Sequence, residues 1–572
     1  MQSNGSNGKD VPQQSEGHPS HLEAVVQLPP VVDTEPNSPF SPVPPERDVS
    51  GAVHDPGADT EKSSEPSQEA LGTRVTKGVS WTLAGTIWTQ ALGVVRTAAL
   101  ARLLTEADFG VAAMAMTVIG ALYTLTNTSV VASVISARFD DERELHRYAN
   151  LVWTIEVLRG LVIAVMMLVL ALPFAHFYQE PKLFPMLVAL ALTPLCTSLQ
   201  NVGLHLYSRN VEMKLLTLQG LSANTINVLA TIGLAMLTHN YWALVWGQVV
   251  GALITTISSF MFSSYRPRFG WDKVLSRRAF RYGKNQFIIG LSDYTLTMMD
   301  NVIVGYMLGK QVLGLYVVAY SFCTMARSLI NNAFNSVIFP AFASANREDD
   351  PERLRTLVER TFTTGTLFLM VLLTPLVAFA PAVLRVVYTT DYSDATVPMR
   401  VLLLSGFFAG LLSLFSAFFE GLDQPQIEAK GRIWDAILFL AILYPLTAWL
   451  GSVGAALTGV VAWAGAISWR WKWAHDLAPS ALVRLPYLLV SAMGVSAVMC
   501  ALGVLPWAVS AGGWQQAFVL TKPSPVAAWT QLLIGAPLVS LGCVVAFSAL
   551  HPIARREVFN IIGKVSGKLR RA

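Results

Sequence analysis

Fourteen apolar stretches, each about 19 to 26 residues long, follow one another from Gly78 to Leu550. A helix rises about 1.5 Å per residue, so about 20 apolar residues cross a hydrocarbon core of about 30 Å. Lipid offers no partner to a backbone N–H or C=O, so segments of this kind must be helical. The spans are placed near 78–104, 108–133, 149–172, 183–207, 216–237, 241–262, 285–308, 312–336, 362–387, 397–419, 432–450, 452–471, 484–505 and 527–549. Charged residues make up 14% of the chain, against about 25% in soluble domains.

Alternate connections hold most of the Lys and Arg. Arg266, Arg268, Lys273, Arg277, Arg278, Arg281 and Lys284 form the densest group, and Arg555, Arg556, Lys564, Lys568, Arg570 and Arg571 close the chain. The opposite connections hold little beyond Lys182, Lys310 and Lys522. The positive-inside rule then predicts both termini on the cytoplasmic side. An even number of spans is required; twelve would satisfy it as well as fourteen.

Residues 1–73 carry eleven prolines, twelve Asp or Glu and three Lys or Arg. Such a composition cannot bury a core, which predicts a disordered acidic tail. It has no apolar h-region, so the first span must act as its own insertion signal. The four cysteines lie in or beside apolar spans without metal or redox spacing. There is no phosphate-binding loop and no HExxH pair. The connections on the charge-poor side are too short to house a polymerase or glycosyltransferase centre. No enzyme activity, cofactor, metal or nucleic-acid partner is expected; a carrier is.

Carriers are often built from two related halves. Sliding the chain on itself by 204 residues lays LLTEADFGVAAMA (103–115) over MLGKQVLGLYVVA (307–319). Leu104 falls on Leu308, Gly110 on Gly314, Ala115 on Ala319 and Asn127 on Asn331. Six spans per half and an axis along the membrane normal follow. The expected organisation is a tail (1–73), a first six-helix bundle (74–265), a basic linker (266–284), a second bundle (285–475), two additional helices (476–550) and a basic tail (551–572).

Charges inside spans are costly and face a cavity or each other. The offset superposes Arg96 on Asp300, and Asp293 lies two turns before Asp300 on the same face, with Thr297 between them. Arg327, Asn331 and Asn335 form a stripe at i, i+4, i+8. Glu156 and Arg159 are an i, i+3 pair that reads first as self-neutralised packing. Thr124, Asn127 and Thr128 form a polar stripe that reads first as interhelical hydrogen bonding. The candidate substrate-cavity residues are Arg96, Arg327, Asn127 and Asn331. The candidate ion-coupling or charge-balancing residues are Asp293, Asp300, Glu156 and Arg159.

ALARLLTEADFGVAAMAM (99–116) is similar to the first hairpin of bacterial polysaccharide exporters of the Wzx type. DNVIVGYMLGKQVLGLYVVAYSF (300–322), VIFPAFASANREDDPERLRTLVERTF (337–362) and FFEGLDQPQIEAKGR (418–432) resemble later parts of the same exporters. This resemblance, over roughly 74–475, implies the multidrug/oligosaccharidyl-lipid/polysaccharide flippase superfamily. It implies an all-α polytopic membrane protein of about fourteen helices, with two pseudo-symmetric six-helix bundles around a central cleft and two extra C-terminal helices. It implies translocation of undecaprenyl-diphosphate-linked oligosaccharide units across a bacterial inner membrane by alternating access. The implied partners are the lipid-linked oligosaccharide, membrane lipids, a polysaccharide polymerase and a chain-length regulator. Arg96 and Arg327 suit a diphosphate, because guanidinium is a bidentate phosphate ligand that stays charged. The 73-residue acidic tail departs from the family. The competing readings are a drug or cation antiporter of the same superfamily, or a peptidoglycan-precursor (lipid II) flippase.

Overall fold

The computed structural model describes residues 68–127, 130–131, 134, 141–209, 213–347, 351–388, 390–477, 483–510 and 523–569. The expected tail lies outside the described residues as far as 67, and 68–73 are already helical. Among the described residues the regular structure is helical, as a bilayer demands. Ten of the described helices are long and apolar enough to cross a membrane, and the chain is a multi-pass membrane protein.

Helices α1 (Gln68–Leu103) and α2 (Glu106–Leu125) form a hairpin with a two-residue turn. Thr105 starts α2 with a capping box. Its hydroxyl accepts from Asp108 N at 3.3 Å, and the Asp108 carboxylate accepts from Thr105 N at 3.1 Å. Then come α3 (Glu142–Phe177), the broken stretch α4 (Leu183–Leu190), α5 (Leu192–Ser198) and α6 (Gly203–Arg209), and α7 (Met213–Thr238) and α8 (Trp242–Phe262). The fourth span was expected to be continuous. Its second break is stabilised by Asn201, which is 1% exposed. The Asn201 side chain accepts from Gly203 N at 2.9 Å and donates to Tyr265 O at 2.6 Å, while its own N–H donates to Ser259 at 2.9 Å. A buried amide with that many partners costs little, so the helix can stop there.

Residues 263–272 form an extended strap. Asn150 on α3 accepts from Tyr265 Oη at 2.7 Å and from Arg268 N at 2.8 Å, and Thr154 accepts from Gly270 N at 3.0 Å. Burial pushes the Tyr265 phenol up to about 12, so it remains a donor at physiological pH. Helix starts again at Lys273, so most of the basic stretch 266–284 is helical.

The second half holds α9 (Lys273–Arg347), α10 (Pro351–Ala378), α11 (Ala380–Val387), a 3-10 turn (Thr390–Ala395), α12 (Thr396–Gly421) and α13 (Pro425–Leu477). Helices α9 and α13 are each a pair folded at one glycine. Gly309 has φ 80° and Gly451 has φ 61°, a left-handed backbone that side chains resist. Next are α14 (Leu485–Ser510), α15 (Pro525–Thr530), a π turn (Gln531–Gly535), α16 (Ala536–Leu550) and the amphipathic α17 (Pro552–Leu569). A single large apolar cluster runs from Leu100 to Ala554, and a smaller one gathers around Tyr148 and Trp153.

Helix α2 crosses the second limb of α9 almost backbone to backbone. A Cβ on Gly110 would collide with the carbonyl of Lys310, and a Cβ on Gly314 would collide with the carbonyl of Glu106. The two contacts exchange under the offset of 204, which carries 106 onto 310 and 110 onto 314. Small residues of this kind let membrane helices approach closely. Beside the crossing, Lys310 Nζ bonds the buried Glu180 carboxylate at 2.6 Å. Gly110→Ala and Gly314→Ala should each lower the melting temperature of the detergent-solubilised protein. Overpacking costs about 1–3 kcal/mol, and a backbone carbonyl cannot step aside as a side chain can. The double variant should lose less than the sum, because both act on one crossing. Unchanged melting of either single variant would contradict this crossing.

Candidate functional site

The residues singled out by sequence do not form one constellation. Arg96 projects from α1 into a cavity of ≈ 180 Å³ shared with Gln90 and Thr97 of α1, Ser321 and Thr324 on the second limb of α9, and Tyr388. Among the described residues it has neither a hydrogen bond nor an ion pair. A planar fork of five N–H donors without a carboxylate is suited to an anion from outside the fold. Arg327 lies one turn past Thr324 on the same limb. The side chains of Arg327, Asn331 and Asn335 lie outside the described residues.

Arg96 and Asp300, superposed by the offset of 204, do not meet. Asp300 is 3% exposed and accepts from Tyr316 Oη and from Asn301 N, both at 2.9 Å. It borders a void of ≈ 20 Å³, about one water, with Tyr320, Ser405 and Trp463. That void lies between α9, α12 and α13, within the second half. The offset equates positions along helices; it does not make equivalent residues neighbours.

Glu156 and Arg159 pair at 2.8 Å. Arg159 also donates to Tyr123 O at 3.2 Å and to the Thr126 hydroxyl at 3.4 Å. It thus supplies donors and positive charge to the unsatisfied carbonyls ending α2. Asn127 follows that end and faces the first limb of α9: its amide nitrogen lies 4.0 Å from the place a Gly290 Cβ would take.

Asp293 opens a network that the sequence reading missed. It pairs with Arg432 at the start of α13. Arg432 Nε bonds Glu428 at 3.2 Å. Glu428 receives Arg470 through Nε at 3.1 Å and Nη2 at 3.3 Å, and the Ser416 hydroxyl at 2.7 Å. Arg470 reaches on to Asp435 at 2.8 Å and lies against the Trp469 ring. Signs alternate from Asp293 to Asp435, three carboxylates against two guanidiniums, with one negative charge in excess. Arg432 and Arg470 stand at the ends of the expected spans 432–450 and 452–471, and Arg470 is 2% exposed. A signal existed: Glu428, Arg432 and Asp435 recur at i, i+4, i+7 on one face of a helix that begins at Pro425.

A family model described as "Polysaccharide biosynthesis protein" matches residues 99–397. That range contains three of the four segments on which the resemblance rests, 99–116, 300–322 and 337–362, and leaves 418–432 outside. The chain is 24% identical over 385 residues to the succinoglycan biosynthesis transport protein ExoT of Rhizobium meliloti (strain 1021), covering 66% of this chain and 74% of that one. It is 21% identical over 394 residues to the lipopolysaccharide biosynthesis protein WzxC of Escherichia coli (strain K12), covering 68% and 78%. The lipid II flippase MurJ in an inward closed conformation shares the fold, with a TM-score of 0.65 at 13% identity, covering 82% of this chain and 98% of that one. By the match over its span-rich centre, this chain belongs to the polysaccharide biosynthesis protein family.

Proposed function

We propose that the chain translocates undecaprenyl-diphosphate-linked oligosaccharide units across the bacterial inner membrane by alternating access, for exopolysaccharide, O-antigen or capsule assembly. The observation that carries this reading is Arg96, a guanidinium without a counter-ion among the described residues, in a cavity between α1 and α9. A diphosphate supplies the missing charge while the polyprenyl tail stays in lipid. Both named relatives are polysaccharide biosynthesis proteins, one of them a transport protein.

The finer architecture belongs to the same proposal. The ten apolar helices, two of them folded double at Gly309 and Gly451, together with α1 and the broken α4–α6 stretch, support fourteen crossings. The reciprocal contact of Gly110 and Gly314 supports two six-helix halves, 74–265 and 285–475, related by an axis along the membrane normal. The basic connections support cytoplasmic termini, and the polymerase and chain-length regulator would receive the delivered units.

Deleting the gene should abolish the polysaccharide and leave its lipid-linked repeat units in the cytoplasmic leaflet. Normal polysaccharide with new sensitivity to cationic dyes would overturn the proposal in favour of a drug antiporter.

A further inference from the structure

We infer that Arg432 is an anion site for the diphosphate of the substrate, and that Asp293 is the resting ligand the diphosphate displaces. The inference rests on the transport reading above and extends it to a second place in the fold.

Exposure falls steeply along the network. Asp293 and Arg432 are 46% and 34% exposed, whereas Glu428, Arg470 and Asp435 are between 2% and 6% exposed. The inner members hold each other. Glu428 is fixed by Arg470 and Ser416, and it in turn fixes the Nε edge of Arg432. The outer Nη1 of Arg432 reaches Asp293. Of the five N–H groups on this guanidinium, each of the two carboxylates takes one. Arg432 is also the single side-chain partner of the Asp293 carboxylate among the described residues. The result is an arginine anchored on its inner edge, with an accessible outer edge covered by one exchangeable carboxylate.

A diphosphate competes well for that edge. It carries more charge than a carboxylate and offers oxygens spaced for a bidentate contact. The network already holds one negative charge in excess, so an arriving diphosphate and Asp293 repel each other and cannot both stay on Arg432. Asp293 belongs to the first limb of α9 and Arg432 to α13. Exchange therefore unties two helices of the second half when substrate arrives. Asp435 cannot exchange in this way, because it is buried with its arginine.

The test is titration of the purified full-length protein by native mass spectrometry. The probes are undecaprenyl diphosphate, phosphatidylglycerol and inorganic pyrophosphate. Asp293→Asn should tighten undecaprenyl diphosphate about tenfold, because it removes a charged competitor, and Arg432→Gln should weaken it about tenfold. Unchanged or weaker binding in Asp293→Asn would overturn the inference, since Asp293 would then only position Arg432. An equal gain for phosphatidylglycerol would overturn it too, marking an ordinary lipid-headgroup contact. Pyrophosphate alone should show the same order of variants at lower affinity; the reverse order would contradict the exchange. If Arg432→Gln fails to fold, Asp293→Asn still decides, because it alters only a half-exposed carboxylate. Failure here with polysaccharide still lost on gene deletion would leave the transport reading standing.

Discussion

Arg470→Met should remove most folded protein from the membrane. Arg470 is among the largest fully buried side chains, and it joins Glu428 and Asp435. Methionine fills much of the volume but leaves the buried Asp435 without its guanidinium and Glu428 with Arg432 alone. Breaking a buried ion pair by removing one partner costs about 3–5 kcal/mol. That is a large share of the roughly 5–15 kcal/mol that stabilises a typical domain. Replacing a whole buried ionic group with neutral residues of similar shape is often nearly free. The triple variant Arg470→Met, Glu428→Gln, Asp435→Asn should therefore recover the protein, with Arg432 still neutralised by Asp293. Fluorescence-detected size exclusion and the melting temperature in detergent check both halves. Normal melting of the single variant would contradict a buried, obligatory pair.

Arg96→Ala should block polysaccharide export at normal protein level. Arg96 has no described carboxylate partner, so its removal strands no charge. What is lost is the contact with substrate. A hydrogen bond to a charged group contributes about 1.5–3 kcal/mol, so losing a bidentate pair should lower transport about a hundredfold. Arg96→Lys should rescue only partly, because an ammonium is a point charge without the planar fork. Adding Asp300→Ala should not restore export. Asp300 is held by Tyr316 rather than by Arg96, so no stranded partner is relieved. Surface polysaccharide measured with membrane protein level separates these outcomes. Full export in Arg96→Ala would leave Arg96 without a role in transport.

Much of the membrane architecture was legible because bilayer constraints act on single segments. Apolar length marks a helix that can cross a membrane without reference to its neighbours, and ten described helices meet that measure. The matching glycines of 103–115 and 307–319 were legible because a close helix crossing constrains both Gly110 and Gly314. Rotation of one helix against another is not written in the period of either. The offset could equate Arg96 with Asp300, but it could not show that Asp300 faces α12 and α13. The burial of Arg470 was not legible for a related reason. A hydropathy window ends a span where charge begins, whereas α13 continues as helix to Leu477 and turns that charge inward. Glu428, Arg432 and Asp435 showed helical spacing, but their partner lies a full hairpin away in sequence. The broken fourth span depended on Asn201, whose partners come from α8 and the strap.

Movement of a lipid-linked oligosaccharide between leaflets is tested most directly by reconstitution. Purified full-length protein should be reconstituted into vesicles carrying an undecaprenyl-diphosphate-linked oligosaccharide in the inner leaflet. Exposure of the sugar is then followed with an impermeant glycan-oxidising or lectin reagent. The account predicts protein-dependent appearance of the sugar outside, strongly reduced in Arg96→Ala vesicles of equal protein content. Exposure no faster than in protein-free vesicles, from protein that is folded and correctly inserted, would contradict it.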